Sequence, residues 1–273
     1  MPQEREPTAV IPARDTKIGD SLVRISGQGF PLVFVHGFTT TSEFWKEQVE
    51  EFARSYRVIR INLPGHGASP APTTRSYRIE DFVQDVGRVF QELSVDTAVL
   101  IGLSMGGIIA QEFAIKYPSL VKALVLVDTT AHGTGADATA DAFLAAVDKR
   151  GAEKAIQDLS DISFGSSASP ALVEWARQEV IRTPEFVARA AIRSISDSDT
   201  RNSLSEIKQP TLVVAGEEDL VTPTGESEIL AKGISNSTLS IIPKAGHFSM
   251  LEKPGVFNGI LRGFLDELSR GSS

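Results

Sequence analysis

Ser104 stands in Gly102-Leu103-Ser104-Met105-Gly106, a G-x-S-x-G spacing that directly follows the apolar run Ala98–Ile101 and precedes a helix-like stretch. A serine on so sharp a strand-to-helix turn must adopt a strained backbone conformation, and glycines two positions to either side let neighbouring chain approach. Gly107 adds room where the helix starts, and the run Ile108–Tyr117 ends at Pro118, which cannot readily continue a helix. Such a turn exposes the hydroxyl as a nucleophile. The plain alternative is a glycine-containing loop whose serine caps a helix; the strand before and the helix after favour the nucleophile. A phosphate-binding loop is disfavoured, because neither G-x-x-x-x-G-K-[ST] nor G-x-G-x-x-G occurs.

A serine hydroxyl needs a base to take its proton as attack proceeds. Four histidines are available. His247, in Ala245-Gly246-His247-Phe248, lies just beyond the last strand-like run and before a terminal helix opened by Pro254, the loop position required by the chain order serine, acid, histidine. His36 and His66 fall in turns after strand-like runs, where hydrogen bonds to backbone explain them, and His132 opens a different region. The acid that holds the imidazole must sit at a strand end in the same cluster. Asp219, in Gly216-Glu217-Glu218-Asp219-Leu220-Val221, fits best. Asp128, at the end of Ala123–Val127, is the main competitor, with Glu217 and Glu218 behind it.

Attack on an acyl carbonyl moves negative charge onto oxygen, so fixed backbone N–H donors lower the barrier. The amide of Met105, first in the helix after the nucleophile, is one expected donor, and the amide of Phe38 in His36-Gly37-Phe38 is the other. Phe38, Met105, Phe143, Trp175, Val221 and Phe248 are the expected substrate contacts, presenting an apolar wall that suits a hydrophobic group. No metal and no organic cofactor is expected.

The elements that must position these residues are legible as apolar, β-branched runs at Leu32–Val35, Val58–Leu63, Ala98–Leu103, Ala123–Val127, Thr211–Ala215 and Leu239–Ile242, each short enough for a buried parallel strand. Helix-like segments near Ser42–Ala53, Ile79–Leu93, Met105–Tyr117, Thr224–Lys232 and Gly255–Leu268 alternate with them, the pattern of a sheet covered on both faces. Thr16–Ile18 and Leu22–Ile25 flank Gly19-Asp20 as an opening hairpin. From about His132 to Ile207 the alternation stops, and alanine-rich, charged, helix-like stretches follow one another. This interval reads as a helical cap: 1–131 and 208–273 form one core and 132–207 is inserted into it.

The remaining composition narrows the class. With 273 residues the chain can bury a full core, and the absence of cysteine removes disulfides, thiolate metal sites and a cysteine nucleophile. A formal net charge of −8 disfavours nonspecific attraction to nucleic acid or an anionic membrane. The stretch Met1–Asp15 mixes charges with prolines and lacks the apolar run of a secretory signal, so a cytoplasmic protein is expected; the apolar runs are far shorter than the roughly 20 residues of a membrane helix.

His36-Gly37-Phe38, Asn62-Leu63-Pro64-Gly65-His66-Gly67-Ala68-Ser69, the Ser104 elbow, Asp219 and Gly246-His247 together resemble the α/β-hydrolase superfamily over nearly the whole chain. The resemblance implies an α/β fold with a mostly parallel eight-stranded sheet, flanked by helices and carrying a helical cap. Gly102–Gly107 and Leu124–Ala131 look like 3-oxoadipate enol-lactonases and related small esterases. Asn62 departs from the aspartate many relatives carry before the Pro-Gly turn, which puts a loop-stabilising contact in doubt. Serine at the elbow separates the chain from haloalkane dehalogenases and epoxide hydrolases, where the resemblance implies aspartate. The expected activity is hydrolysis of a small ester or lactone. The same three residues also serve carbon–carbon bond hydrolysis or cofactor-free perhydrolysis, and a ligand-binding receptor with slow or no turnover is the alternative of another class.

Overall fold

The computed structural model describes residues 13–133 and 137–270. Most of the amino-terminal charged and proline-containing stretch, and a short part of the cap interval, lie outside them. The strands are β1 (Ala13–Ile18), β2 (Ser21–Ser26), β3 (Phe30–Val35), β4 (Tyr56–Asn62), β5 (Ala98–Leu103), β6 (Val121–Val127), β7 (Thr211–Gly216) and β8 (Ser237–Ile242). The helices are α1 (Lys46–Phe52), α2 (Ile79–Glu92), α3 (Met105–Lys116), α4 (Asp137–Arg150), α5 (Ala152–Ile162), α6 (Pro170–Val180), α7 (Glu185–Asp197), α8 (Thr224–Gly233), α9 (Ser249–Glu252) and α10 (Pro254–Arg270).

Among the described residues the strands form one eight-stranded sheet in the order β1-β2-β4-β3-β5-β6-β7-β8. The opening hairpin is antiparallel and β2 joins β4 antiparallel, whereas every pair from β4/β3 to β7/β8 is parallel. Parallel strands need crossovers that place helices on both faces, and strands covered twice carry continuous apolar sequence. All six residues of β5 and of β7 are accordingly buried. The edge strand β8, by contrast, buries only Ile242 fully and exposes Thr238 and Ile241.

Helix α2 shows how the covering is encoded. Ile79, Phe82, Val83, Val86, Val89 and Phe90 recur at helical spacing and are all buried, while the Asp81 carboxylate closes the first turn by accepting the Arg78 N–H (3.0 Å). Helix α3 packs between α2 and the strands β5 and β6, so its stretch Met105–Ala114 is buried almost throughout. Between β6 and β7 the chain leaves the sheet for α4–α7. Both ends of that excursion are clasped together: Gly133 N–H donates to the Ser198 carbonyl (2.7 Å) and Thr200 N–H to the Ala131 carbonyl (2.7 Å).

Candidate active site

The carboxyl ends of β3, β5, β6, β7 and β8 deliver the chemistry-bearing residues to one edge of the sheet. Ser104 sits between β5 and α3 at φ 51°, ψ −117°, in a region an L-residue occupies only under strain. The strain is held by packing and hydrogen bonds. Ser104 N–H donates to the Val127 carbonyl (3.0 Å), and the Ser104 carbonyl accepts from Gly107 N–H (2.8 Å) and the Thr129 hydroxyl (2.7 Å). Gly106 lets the elbow press onto β3, because a Cβ there would stand 2.4 Å from the Val35 carbonyl oxygen and 2.5 Å from that of His36.

His247 Nδ1 lies 2.8 Å from Asp219 Oδ2. Asp219 is fixed in turn: Oδ1 accepts Val221 N–H (2.8 Å) and Thr222 N–H (3.0 Å), and Oδ2 also accepts the Thr222 hydroxyl (2.8 Å). Residues two and three positions downstream supply those amides, the local pattern by which an aspartate closes a turn on itself. Both residues are buried, His247 4% exposed and Asp219 4%. Burial opposes charge on each, but their mutual attraction and the Thr222 hydrogen bonds prevail, holding Asp219 below the usual carboxylate range and His247 above the usual imidazole value. Of the two acids named above, Asp219 is the one in contact with the imidazole. Asp128, fully buried, directs its carboxylate to Gly216 N–H and to Ser249, not to the imidazole.

The His36-Gly37-Phe38 turn lies against Ser104: a Cβ on Gly37 would be 3.2 Å from Ser104 Cβ. The Gly37 carbonyl accepts three hydrogen bonds, from His36 Nδ1–H (2.8 Å), Thr40 N–H (3.3 Å) and the Thr40 hydroxyl (3.0 Å). Carbonyl and N–H point in opposite directions across a trans peptide, so these donors aim the Phe38 N–H away from themselves. His36 is locked in one tautomer, since its Nε2 accepts Leu63 N–H (3.0 Å). Burial, with His66 nearby, keeps its pKa well below the ordinary value, so it stays neutral. Met105 is the first residue of α3, where an N–H has no acceptor within the helix.

Ser104, His247 and the Gly37-Phe38 turn line one cavity of about 70 Å³. Of the expected wall residues, Phe38, Met105, Val221 and Phe248 line it. Phe143 and Trp175 do not. Phe143 stands behind the wall with its ring edge-on to Phe38 (5.3 Å between centroids), and Trp175 packs on Phe44 (5.2 Å) with Lys46 Nζ over its ring (3.7 Å). Ile108, Leu159, Val180, Ile192 and Ile195 complete the apolar wall, with Thr39, Thr40, Thr130, Ser160, Ser163 and Thr222 as its hydroxyls. Each of these aliphatic residues reads in sequence as an ordinary helix stripe; only Ile108, one turn after Ser104, carried a positional signal.

The other histidines have structural partners. His66 Nδ1 meets the Pro64 carbonyl (3.1 Å) and burial lowers its pKa to about 4, while His132 pairs with Glu226 (3.2 Å). Asn62 supplies the contact that its departure from aspartate put in doubt: its Oδ1 accepts Ser42 N–H (2.7 Å). Among the described residues no group of three or more histidine, cysteine or carboxylate side chains is placed to hold a metal ion, and no helix is long and apolar enough to cross a membrane.

A family model for the alpha/beta hydrolase fold matches residues 31–254. The chain belongs to the α/β-hydrolase family. It is 30% identical over 230 residues to 3-oxoadipate enol-lactonase 2 of Acinetobacter baylyi, covering 83% of this chain and 85% of that protein. Among solved structures, Est816, described as an N-acyl homoserine lactone degrading enzyme, is similar at 32% identity and a TM-score of 0.82 over 92% of this chain and all of the other. A thermophilic esterase from Thermogutta terrifontis is similar at 30% identity and a TM-score of 0.82, over 94% and 99% of the two chains.

Proposed function

We propose that this α/β-hydrolase cleaves a small, uncharged carboxylic ester or lactone through an acyl-enzyme on Ser104. The observation that carries the reading is the 2.8 Å contact of His247 Nδ1 with Asp219, with Ser104 and His247 in the wall of one cavity. With Nδ1–H committed to Asp219, Nε2 is the free base. Ser104 Oγ attacks the carbonyl carbon as Nε2 takes its proton, and Asp219 stabilises the resulting imidazolium. The Phe38 and Met105 amides receive the oxyanion. His247 then protonates the departing alkoxide, and a water activated by the same imidazole releases the acid.

The wall supports the substrate class. Among the described residues lining the cavity there is no lysine or arginine, so a carboxylate on the acyl group would be desolvated without a partner. A volume of about 70 Å³ suits a short acyl chain unless α5–α7 move. The lactonase and esterase relatives support ester-bond cleavage as such. Adipate is a diacid, and its enol-lactone keeps one carboxylate; the uncharged wall here argues for a different substrate. It equally disfavours carbon–carbon cleavage of a dienoate, which is itself an anion.

The test is a matched pair of p-nitrophenyl monoesters, butyrate against succinate. An unpaired buried charge costs at least about 2 kcal/mol, so kcat/KM for the succinate should be lower by about 30-fold or more. Equal turnover of the two would overturn the uncharged-substrate reading, and no turnover of either, or of any neutral lactone, would favour a binding protein.

A further inference from the structure

We propose that Asp128, the acid at the end of β6, is a positioning residue that holds the His247 loop and the Asp219 loop in register. The inference rests on the serine-hydrolase reading above. Asp128 is fully buried at φ 44°, a left-handed conformation that costs an L-residue energy, and its N–H donates to the Val214 carbonyl (2.9 Å). Its carboxylate then reaches both loops. Oδ1 accepts Gly216 N–H (2.7 Å), three residues before Asp219, and Oδ2 accepts Ser249 N–H (3.2 Å) and the Ser249 hydroxyl (2.6 Å), two residues after His247.

The contacts on the other side of His247 show what this bridge adds. Upstream, the two loops are joined by Glu218 N–H to the Ala245 carbonyl (2.8 Å). The His247 N–H itself is given to the Ser163 carbonyl (2.7 Å), at the end of α5, in the inserted helices and not in the sheet. Downstream, Asp128 and Ser249 tie the chain back to β6. The His247 loop is thereby held on both sides, to the Asp219 loop and α5 upstream and to the end of β6 downstream, and its 2.8 Å reach to Asp219 is set by the backbone as well as by the side chains. A buried acid with Asp219 nearby is an expensive way to fill space, because an apolar side chain would pack there without the desolvation cost. Burial and then the charge of Asp219 push the Asp128 pKa upward, against His247 and the hydrogen bonds from Ser249 and Gly216.

Two variants separate positioning from plain stability. Asp128→Asn keeps a carbonyl for Gly216 N–H but turns an amide NH2 toward Ser249, and Ser249→Ala removes only the hydroxyl. On p-nitrophenyl butyrate, a misplacement of the imidazole by a fraction of an ångström should lower kcat about 10- to 100-fold in Asp128→Asn, with KM held within about threefold. Ser249→Ala should lose about three- to tenfold, the value of one hydrogen bond. In both, the downfield proton resonance of the His247–Asp219 hydrogen bond should shift or broaden in the folded protein. Folded variants with wild-type kcat and an unshifted resonance would overturn the inference, as would a rate loss equal to the unfolded fraction. If Asp128→Asn fails to fold, Ser249→Ala decides alone by the same two readings. Ser104→Ala run alongside keeps the two claims apart: turnover surviving there sinks the hydrolase reading, whereas its loss with unaffected Asp128 and Ser249 variants sinks only this inference.

Discussion

Asp219→Asn isolates the role of the carboxylate, because the replacement is nearly isosteric and the surrounding contacts dictate how it must sit. Oδ1 of Asp219 accepts two backbone N–H groups, from Val221 and Thr222, so the asparagine carbonyl is held on that side. The amide NH2 then occupies the Oδ2 position, 2.8 Å from His247 Nδ1 and 2.8 Å from the Thr222 hydroxyl. The hydroxyl can rotate to accept. The imidazole has to accept too, which moves its proton from Nδ1 to Nε2 and leaves no base facing Ser104. The loss of the correct tautomer, together with the charge that stabilises the imidazolium, should lower kcat by on the order of 10⁴, or about 5 kcal/mol in the barrier. Steady-state turnover of p-nitrophenyl butyrate measures it, with Ser104→Ala as the floor and a melting curve to show that the variant is folded. A folded Asp219→Asn enzyme within about tenfold of wild type would refute the reasoning, since no tautomer switch of this kind costs so little.

Three further outcomes follow from the same contacts. Gly106→Ala would drive a Cβ to 2.4 Å from the Val35 carbonyl oxygen, a backbone atom that cannot swing aside; overpacking of this kind costs about 3 kcal/mol, which scanning calorimetry should read as a melting point about 6–12 °C lower. Because His247 must be neutral to act and Asp219 helps to hold its pKa above 6.5, the acid limb of kcat/KM for a neutral ester should have its midpoint above pH 6.5. His66 behaves oppositely: its folded pKa is lowered from 6.5 to about 4, so the unfolded chain binds more protons between those values and stability is lost as pH falls through that window. Urea unfolding should show His66 contributing about 2 kcal/mol of loss between pH 7 and 5, and His66→Asn, whose amide can still donate to the Pro64 carbonyl, should lose less.

The parallel strands were legible because burial on both faces leaves each as a short unbroken apolar run, as in Ala98–Leu103 and Thr211–Gly216. Edges were harder. Strand β1 is mostly exposed, so Ala13–Asp15 carry no apolar run to mark it, and the partly buried β8 extends back to Ser237 for the same reason. Ser104, His247 and Asp219 could be singled out because the proposed catalysis demands particular residue types at strand ends, and only a few positions qualify. The cavity wall makes no such demand. Leu159, Val180, Ile192 and Ile195 come from three helices between β6 and β7, and which apolar residues face the cavity depends on how those helices pack. Aromatic content therefore pointed to Phe143 and Trp175, whose rings the structure uses against Phe38 and Phe44. Thr222, three residues past Asp219, carried a signal that turn spacing alone could have exposed.

The most direct measurement of the central claim is mass spectrometry of the protein after brief exposure to a p-nitrophenyl alkylphosphonate, followed by peptide mapping. One adduct is expected, on Ser104, formed at a rate that falls with Asp219→Asn and absent from Ser104→Ala. An adduct on another residue, or labelling and ester turnover undiminished in Ser104→Ala, would contradict it.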